Sequence, residues 1–294
     1  MVNYPGLSQQ QQRGLPALLK PARSFDAKFE DSTHQLWHCE TVDGALVLKL
    51  CNQETVRHST FWQGMNSLFA ADFPASLAHS DKIYRYVGEQ GLLTIPEYIA
   101  AESSSFVLAS YLDGDDVCSA NVSGAMVDTL AEHIAQLHQQ RNVTWGAFHH
   151  AKFPPEEWSK SLQATLLSLA NSHSAPIPDA VLKQALEQAE KLKNTLFSPI
   201  MMDLRWDQML HQQGRLSAVV DMDAFVMGPR ELELVLLEYQ LNAEQAERFK
   251  LRYQKFCKLP DLNEQRFCYR LLLFLMNSLG ESDIEKWMNM PIRW

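Results

Sequence analysis

MMDLRWDQMLHQQGRLSAVVDMDAFVMGPRELELVLL, residues 201–237, is the stretch that decides how this chain is read. Asp203 and Gln208 stand five apart ahead of a turn at Gly214, and Asp221 and Asp223 follow the short apolar strand SAVV. Taken singly, Asp203 and Asp207 would be solvated loop residues and Asp221 a strand cap. Taken together, with GPRELEL directly after, they form an ordered set of hard oxygen groups around one turn. If the strand continues past Asp221, Asp223 lies on the same side, because strand side chains alternate.

The rest of the composition sets bounds. At 294 residues the chain has room for one or two domains. Its 46% hydrophobic and 21% charged residues are ordinary globular usage. No apolar run approaches the roughly 18 residues of a membrane span, and no basic region precedes an apolar run at the N-terminus. The chain therefore reads as soluble and cytoplasmic, without a membrane partner. A formal charge of -9 argues against a nucleic-acid surface but suits a cationic small acceptor. Five cysteines, Cys39, Cys51, Cys118, Cys257 and Cys268, lack the close pairing of a zinc or redox motif and read as buried or incidental thiols.

Outward from the central stretch, three regions are expected. Residues 1–24, with Gln9 to Gln12, Pro16 and Pro21, read as a loosely held arm without chemistry. Residues 25–113 read as a small α+β lobe. In it QLWHCETV and ALVLKLC flank the hairpin signal Asp43-Gly44, Thr55–Phe69 has helical spacing, and Leu92–Ile95 and Phe106–Ser110 are strand-like. Residues 114–294 read as mainly helical, with helices over about 123–140, 155–171 and 179–196, the strand 217–222, and helical periodicity again from about 231 to 289. Ser123 is placed to cap the first of these helices. Trp158, Tyr239, Tyr269 and Trp287 have apolar neighbours and are expected in the core rather than in a cation-binding wall. Glu231, Glu233 and Glu238 are weak candidates for holding a cationic acceptor.

The central stretch resembles the aminoglycoside phosphotransferase and choline kinase family. Its members carry His-Gly-Asp, four residues and Asn, a turn, a strand ending in Asp, and a Gly-Asp-Pro or Gly-Pro-Arg-Glu-Leu-Asp-Leu stretch. The resemblance covers about residues 25–280 and implies an α+β, two-lobed protein kinase-like fold. The small N-terminal lobe would hold an antiparallel sheet and one helix, and the larger C-terminal lobe would be mainly helical. It implies ATP and Mg2+ as cofactors, and a nucleotide and a small-molecule acceptor as partners.

On that resemblance Asp203 is the catalytic residue that orients or deprotonates an acceptor hydroxyl, and Gln208 and Asp221 are metal ligands, with Asp223 as a further one. Lys49, closing ALVLKL, takes the place of the phosphate-binding lysine. Ser32 and Thr33 offer backbone amides to phosphate, and backbone groups of Ala109, Ser110 and Tyr111 meet the adenine. His138, in Leu137-His138, is expected to be a satisfied core histidine rather than a catalyst.

Several positions depart from the family pattern. Met201-Met202 replace His-Gly, Gln208 replaces Asn, and Glu233 replaces Asp. The stretch SFDAKFEDSTHQLWH, where a phosphate-covering loop belongs, has no glycine. Thr55–Phe69 has Trp62 and Gln63 where a glutamate partner for Lys49 is expected, and only Glu54 is near. Three functions therefore stay open: an active small-molecule kinase, a degenerate kinase-like protein that binds nucleotide or a small ligand without transfer, and an interaction module on an unrelated fold.

Overall fold

The computed structural model describes residues 2–26 and 32–294. Its N-terminal part is an antiparallel sheet of five strands in the order β1-β2-β3-β5-β4. The strands are β1 (Arg23–Ser24), β2 (His34–Thr41), β3 (Gly44–Cys51), β4 (Tyr98–Glu102) and β5 (Phe106–Ser110). The β2–β3 turn sits one residue earlier than Asp43-Gly44 predicts. Thr41 pairs with Gly44, so Val42 and Asp43 form the loop, and Gly44 takes φ 120° where it re-enters the strand. The Thr41 hydroxyl donates to Gly44 O at 2.7 Å and locks that register.

Alternation along β3 and β5 divides this sheet chemically. Leu46, Leu48, Phe106 and Leu108 face outward, whereas Lys49, Val107 and Ala109 face inward. The outward face would be left wet, but residues 4–22 cover it. Tyr4 and Leu7 are buried against Leu46, Leu48, Phe106 and Leu108. The Tyr4 hydroxyl donates to Pro16 O at 2.8 Å, Leu19 N donates to Glu40 O at 2.9 Å, and Val42 N donates to Ala17 O at 3.1 Å. The expected loose arm is thus a fixed cover. Its apolar residues are too few and irregular to show periodicity.

Between β3 and β4, the single helix expected over Thr55–Phe69 is two, α1 (Gln53–His58) and α2 (Thr60–Phe69). Ser59 ends the first in extended backbone and caps the second, its hydroxyl accepting from Trp62 N. A third helix follows, α3 (Ser80–Gln90). The strand expected at Leu92–Ile95 is a connector with one parallel bridge, Thr94 to Ala218. Its amides at Leu92 and Leu93 donate to His133 Nδ1 at 3.0 and 3.2 Å. Burial, with a smaller contribution from His138, lowers the His133 pKa to about 4, so the ring stays a neutral acceptor.

The C-terminal part begins with the short β6 (Asp115–Asp116) and α4 (Gly124–Gln139), capped by Ser123 as its sequence suggests. Then come β7 (Gly146–Ala147), α5 (Trp158–Ser172), α6 (Asp179–Lys191), β8 (Ser198–Met201), β9 (Met209–Gln212), β10 (Arg215–Val219) and β11 (Phe225–Gly228). Four helices close the chain: α7 (Arg230–Gln240), α8 (Ala243–Tyr253), α9 (Arg266–Leu275) and α10 (Ile284–Met288). β9 and β10 form a hairpin turned by Gln213 and Gly214, both at positive φ.

The main core runs through both parts. Trp158, Tyr269 and Trp287 are buried in it, and Tyr239 stacks on Trp287 at 3.8 Å, so the four aromatics are packing residues as expected. The cysteines are all free thiols. No helix among the described residues is long and apolar enough to cross a membrane.

Candidate active site

A cleft of about 1480 Å3 lies between the sheet and the helical part, and all ten residues singled out from sequence line it: Ser32, Thr33, Lys49, Ala109, Ser110, Tyr111, Asp203, Gln208, Asp221 and Asp223. Of the stretch 24–38, where a phosphate-covering loop is expected, residues 27–31 lie outside the described residues.

Lys49 is the meeting point. Its Nζ donates to Asp221 Oδ1 at 2.7 Å and to Asp223 Oδ2 at 2.5 Å. The ammonium is buried, which disfavours its charge, but the two carboxylates more than offset this and hold its pKa well above the ordinary value. Lys49 therefore does have acidic partners, supplied by the helical part. Glu54 is not among them, since it sits on the surface, where it pairs with His58 and Arg57.

α3 reaches the cleft through Tyr84, and α2 reaches it through Phe61 and Trp62. Tyr84 is buried within electrostatic range of Lys49, Asp221 and Asp223, and burial pushes its hydroxyl pKa far up. On the other side His34 opens β2, with Nε2 3.7 Å from Asp223 Oδ2. Burial, then Lys49, lowers the pKa of His34. Neither Tyr84 nor His34 stands out in the sequence, because each sits among ordinary polar residues, Tyr84 beside Lys82 and Arg85 and His34 between Thr33 and Gln35.

Asp221 and Asp223 converge for a different reason than strand alternation. β10 ends at Val219, and Asp221 and Asp223 lie beyond it in a turn where Asp223 N donates to Asp221 Oδ1 at 3.3 Å. Burial opposes the charge on Asp221, but Lys49 outweighs it and holds the pKa at about 2.

Asp203 follows β8, and its Oδ2 accepts from Gln208 Nε2 at 2.8 Å. Burial, then the Asp221 charge, raises its pKa to about 7. Three oxygens in this group are shut off from water without a hydrogen-bond partner: Asp203 Oδ1, Gln208 Oε1 and Asp223 Oδ1. Buried acceptors are costly when unsatisfied, so these atoms fit a site that takes donors or a cation from a ligand.

Among the described residues no three His, Cys, Asp or Glu side chains form a ready-made metal cage. The donor set is nonetheless the hard-oxygen type that suits Mg2+, a metal that usually takes one or two carboxylates plus nucleotide phosphates and water. The residues therefore fit a Mg2+ brought with a nucleotide.

The methionines that replace His-Gly are buried, and the loop is supported from below instead. Glu233 Oε1 accepts from Met201 N at 2.6 Å, and Glu233 Oε2 lies 2.8 Å from His138 Nε2. His138 Nδ1 is 2.9 Å from the Tyr253 hydroxyl, so this histidine is a buried core group set between Glu233 and Tyr253, as expected. None of Glu231, Glu233 and Glu238 lines the cleft. Glu231 lies 3.6 Å from Arg230, and Glu238 is enclosed by Arg266 and Arg270.

At the end of β5, Ser110 N donates to Glu97 O and Tyr111 N donates to Ala45 O, so these two amides are already engaged. Leu112, the next residue to line the cleft, extends the edge available to a base.

The model of the phosphotransferase enzyme family, APH, matches residues 28–264. No curated protein sequence matches the chain. Solved structures similar to it include the macrolide 2'-phosphotransferase MphH from Brachybacterium faecium, at 12% identity and TM-score 0.60 over 93% of each chain. The ADP-bound aminoglycoside phosphotransferase APH(2'')-Ib is 14% identical, with TM-score 0.56 over 92% of this chain and 93% of that one. A thermostable mutant of aminoglycoside phosphotransferase APH(4)-Ia, in a ternary complex with ADP and hygromycin B, is 13% identical, with TM-score 0.60 over 90% and 88%. At these identities the likeness is one of kinase-like fold. The family match spans most of the chain, residues 201–237 included, and on that ground the chain belongs to the phosphotransferase enzyme family.

Proposed function

We propose that the chain transfers the γ-phosphoryl group of ATP, with Mg2+, to a hydroxyl of a small, amine-containing acceptor. The observation that carries this reading is the cluster in which Lys49, Asp203, Gln208, Asp221 and Asp223 converge with three unpartnered buried oxygens. The acidic lining supports a cationic acceptor, since seven aspartates and only two cations, Lys49 and Arg205, line the cleft among the described residues.

In this mechanism the adenine lies along Ala109 to Leu112, and Lys49 and the amides of Ser32 and Thr33 hold the phosphates. Asp221, Asp223 and Gln208 would hold Mg2+, which supplies charge neutralisation at the phosphates. Asp203 orients the acceptor hydroxyl and takes its proton. Its raised pKa suits a group that must accept a proton near neutral pH. The roles normally given to a loop histidine and a lysine-binding glutamate pass to Glu233 and to the pair Asp221 and Asp223.

One observation favours the second reading, a nucleotide binder without transfer: the Lys49 ammonium already stands between both metal-loop carboxylates. Thermal shift with Mg-ATP, followed by ATP consumption against amines, amino sugars and amino alcohols, separates the two readings. Stabilisation that survives Asp221→Ala would sink the metal assignment. Turnover that disappears in Asp203→Ala supports transfer, whereas binding with no turnover on any acceptor supports the second reading.

A further inference from the structure

Strand β3 runs along the cleft and gives it a direction. Val47 lies opposite Ala109 at the end where the base would sit, Lys49 follows in the middle, and Cys51 stands at the far end opposite His34. Beyond Cys51 the cleft continues along Asn52 and Gln53, the start of α2, and the turn 277–280 that follows α9. Among the described residues, no charged side chain from these segments lines the cleft; the seven aspartates, Lys49 and Arg205 all come from elsewhere in the lining. Asp26 is exposed and follows the edge strand β1, with β2 between it and β3. His34 and Cys51 add no charge, since burial lowers the pKa of the imidazole and pushes the thiol up to about 11.

This uncharged end is nevertheless built to hold something. Phe61 is partly exposed to the cleft and firmly backed: its ring stands edge-on to Trp62 at 5.2 Å, and Trp62 stacks on Phe73 at 3.5 Å. Trp62 and Phe73 are buried, so Phe61 is the accessible ring of a braced aromatic platform. Ser278 lines the cleft at 6% exposure, and its Oγ is shut off from water without a hydrogen-bond partner. The turn that carries it is fixed. Asn277 N donates to Phe274 O at 2.8 Å, Ser278 N donates to Leu273 O at 3.1 Å, and the Thr60 hydroxyl ties α2 to Met276 O at 3.4 Å. A buried hydroxyl left unpaired is costly, so Ser278 is placed to meet a polar group that a ligand brings.

Resting on the phosphotransferase reading, we propose that this far end is a second acceptor subsite, that it takes an uncharged ring bearing hydroxyl groups, and that Phe61 and Ser278 determine its specificity. An ammonium entering here would leave water with no carboxylate to meet it, a cost that a neutral hydroxyl escapes. A ring with an apolar face and a hydroxylated rim stacks on Phe61 and shares a hydrogen bond with Ser278 Oγ. The amine of the acceptor therefore lies near its reacting hydroxyl, beside the carboxylates at the centre of the cleft. Polyamines whose charges spread along the whole molecule are excluded.

The test is saturation-transfer NMR on the Mg-ADP-loaded protein with three probes at equal ionic strength: D-glucosamine, which carries one amine on a neutral ring, the tetraamine neamine, and tetramethylammonium. D-glucosamine is expected to bind about fivefold or more tightly than neamine, with the strongest transfer to its ring C–H protons. Phe61→Leu, which keeps apolar bulk but removes the flat ring, and Ser278→Ala should each weaken D-glucosamine about threefold or more. Mg-ADP affinity, read by calorimetry, should stay within about twofold in both variants. Ser278→Asp should reverse the order of the two amines in favour of neamine. Tighter binding of neamine by wild type, no binding of D-glucosamine, or D-glucosamine binding that neither variant alters would each overturn the proposal. Tetramethylammonium binding that disappears in Phe61→Leu would overturn it in favour of a cation site. Should one variant fail to fold, the other decides. Failure of wild type to bind Mg-ADP would overturn the phosphotransferase reading and this subsite with it, a result distinct from a failure of the probes alone.

Discussion

Two buried ionic clusters in this molecule are built from similar parts and finished differently. Around Glu238, Oε1 accepts from Arg266 Nε and Arg293 N, and Oε2 accepts from Arg266 Nε and Arg270 Nη2. Arg270 then continues to the carbonyls of Met288 and Met290. Around Lys49, by contrast, Asp203 Oδ1, Gln208 Oε1 and Asp223 Oδ1 are left without partners. A cluster whose acceptors are all used is holding a chain segment in place. One with acceptors left over is placed to receive a donor or a cation; the Glu238 cluster leaves only donors, Arg270 Nε and Arg293 Nε, without partners, so the leftover acceptors, and not burial, separate the two.

The largest effect that would break this comparison is in the open cluster. Asp203→Ala should reduce phosphoryl transfer by about 10^3-fold, read as kcat with an acceptor that wild type uses. Retained kcat would remove Asp203 from the chemistry. In the closed cluster the damage should fall on stability instead. Glu238→Ala leaves two buried guanidinium groups without their carboxylate and should cost about 3–5 kcal/mol in urea unfolding. A cost below about 1 kcal/mol would mean that the cluster is not the clamp described.

How much of this was legible in the sequence follows from the same distinction. Asp203, Gln208, Asp221 and Asp223 could be placed because they keep a short spacing around one turn, so linear pattern and spatial site coincide, whereas Lys49, far off at the end of ALVLKL, was placed by the family resemblance. Tyr84, His34 and Arg205 reach the cleft from a helix, a strand start and an extended turn residue, where nothing in the local sequence distinguishes them from ordinary polar positions. The support beneath the loop that carries Asp203 was hidden for another reason. Glu233 looked like a departure at its own position and Met201 like one at its own, and only the fold shows that one answers the other. The break at Ser59 and the docked residues 4–22 depend on long-range packing, to which helical and strand periodicities are blind.

An intermediate effect is expected where the two kinds of site meet. Glu233→Ala should strand Met201 N and His138, costing about 2 kcal/mol of stability. Because Met201 precedes Asp203 by two residues, kcat should fall about tenfold as well. A stability loss with unchanged kcat would separate the support from the site above it.

A smaller effect has the opposite sign. Asp203 has a folded-state pKa of about 7 against 3.8 for the free group, so between these values the folded chain binds the extra proton. Its contribution to stability is full below about pH 4 and is lost as pH rises through about 7. Asp203→Asn should therefore raise Tm by about 3 °C at pH 8 and have no such benefit at pH 4, as seen by calorimetry. The smallest effect belongs to Glu54→Ala, whose partners are exposed. It should change stability by less than about 0.5 kcal/mol and leave kcat unaltered, as the surface pairing of this glutamate requires.

The bridge at Thr94 bears on how the cleft is held. Thr94 N donates to Ser217 O at 3.1 Å, and Val219 N donates to Thr94 O at 3.0 Å, so hydrogen bonds fasten the connector before β4 to β10, in addition to the chain's own passage after Ser110. With α2 packed on α5 and α9 as well, the two walls of the cleft are joined along a seam rather than at a point. The amides of Thr94 and Val219 should therefore exchange as slowly as those of the central strands.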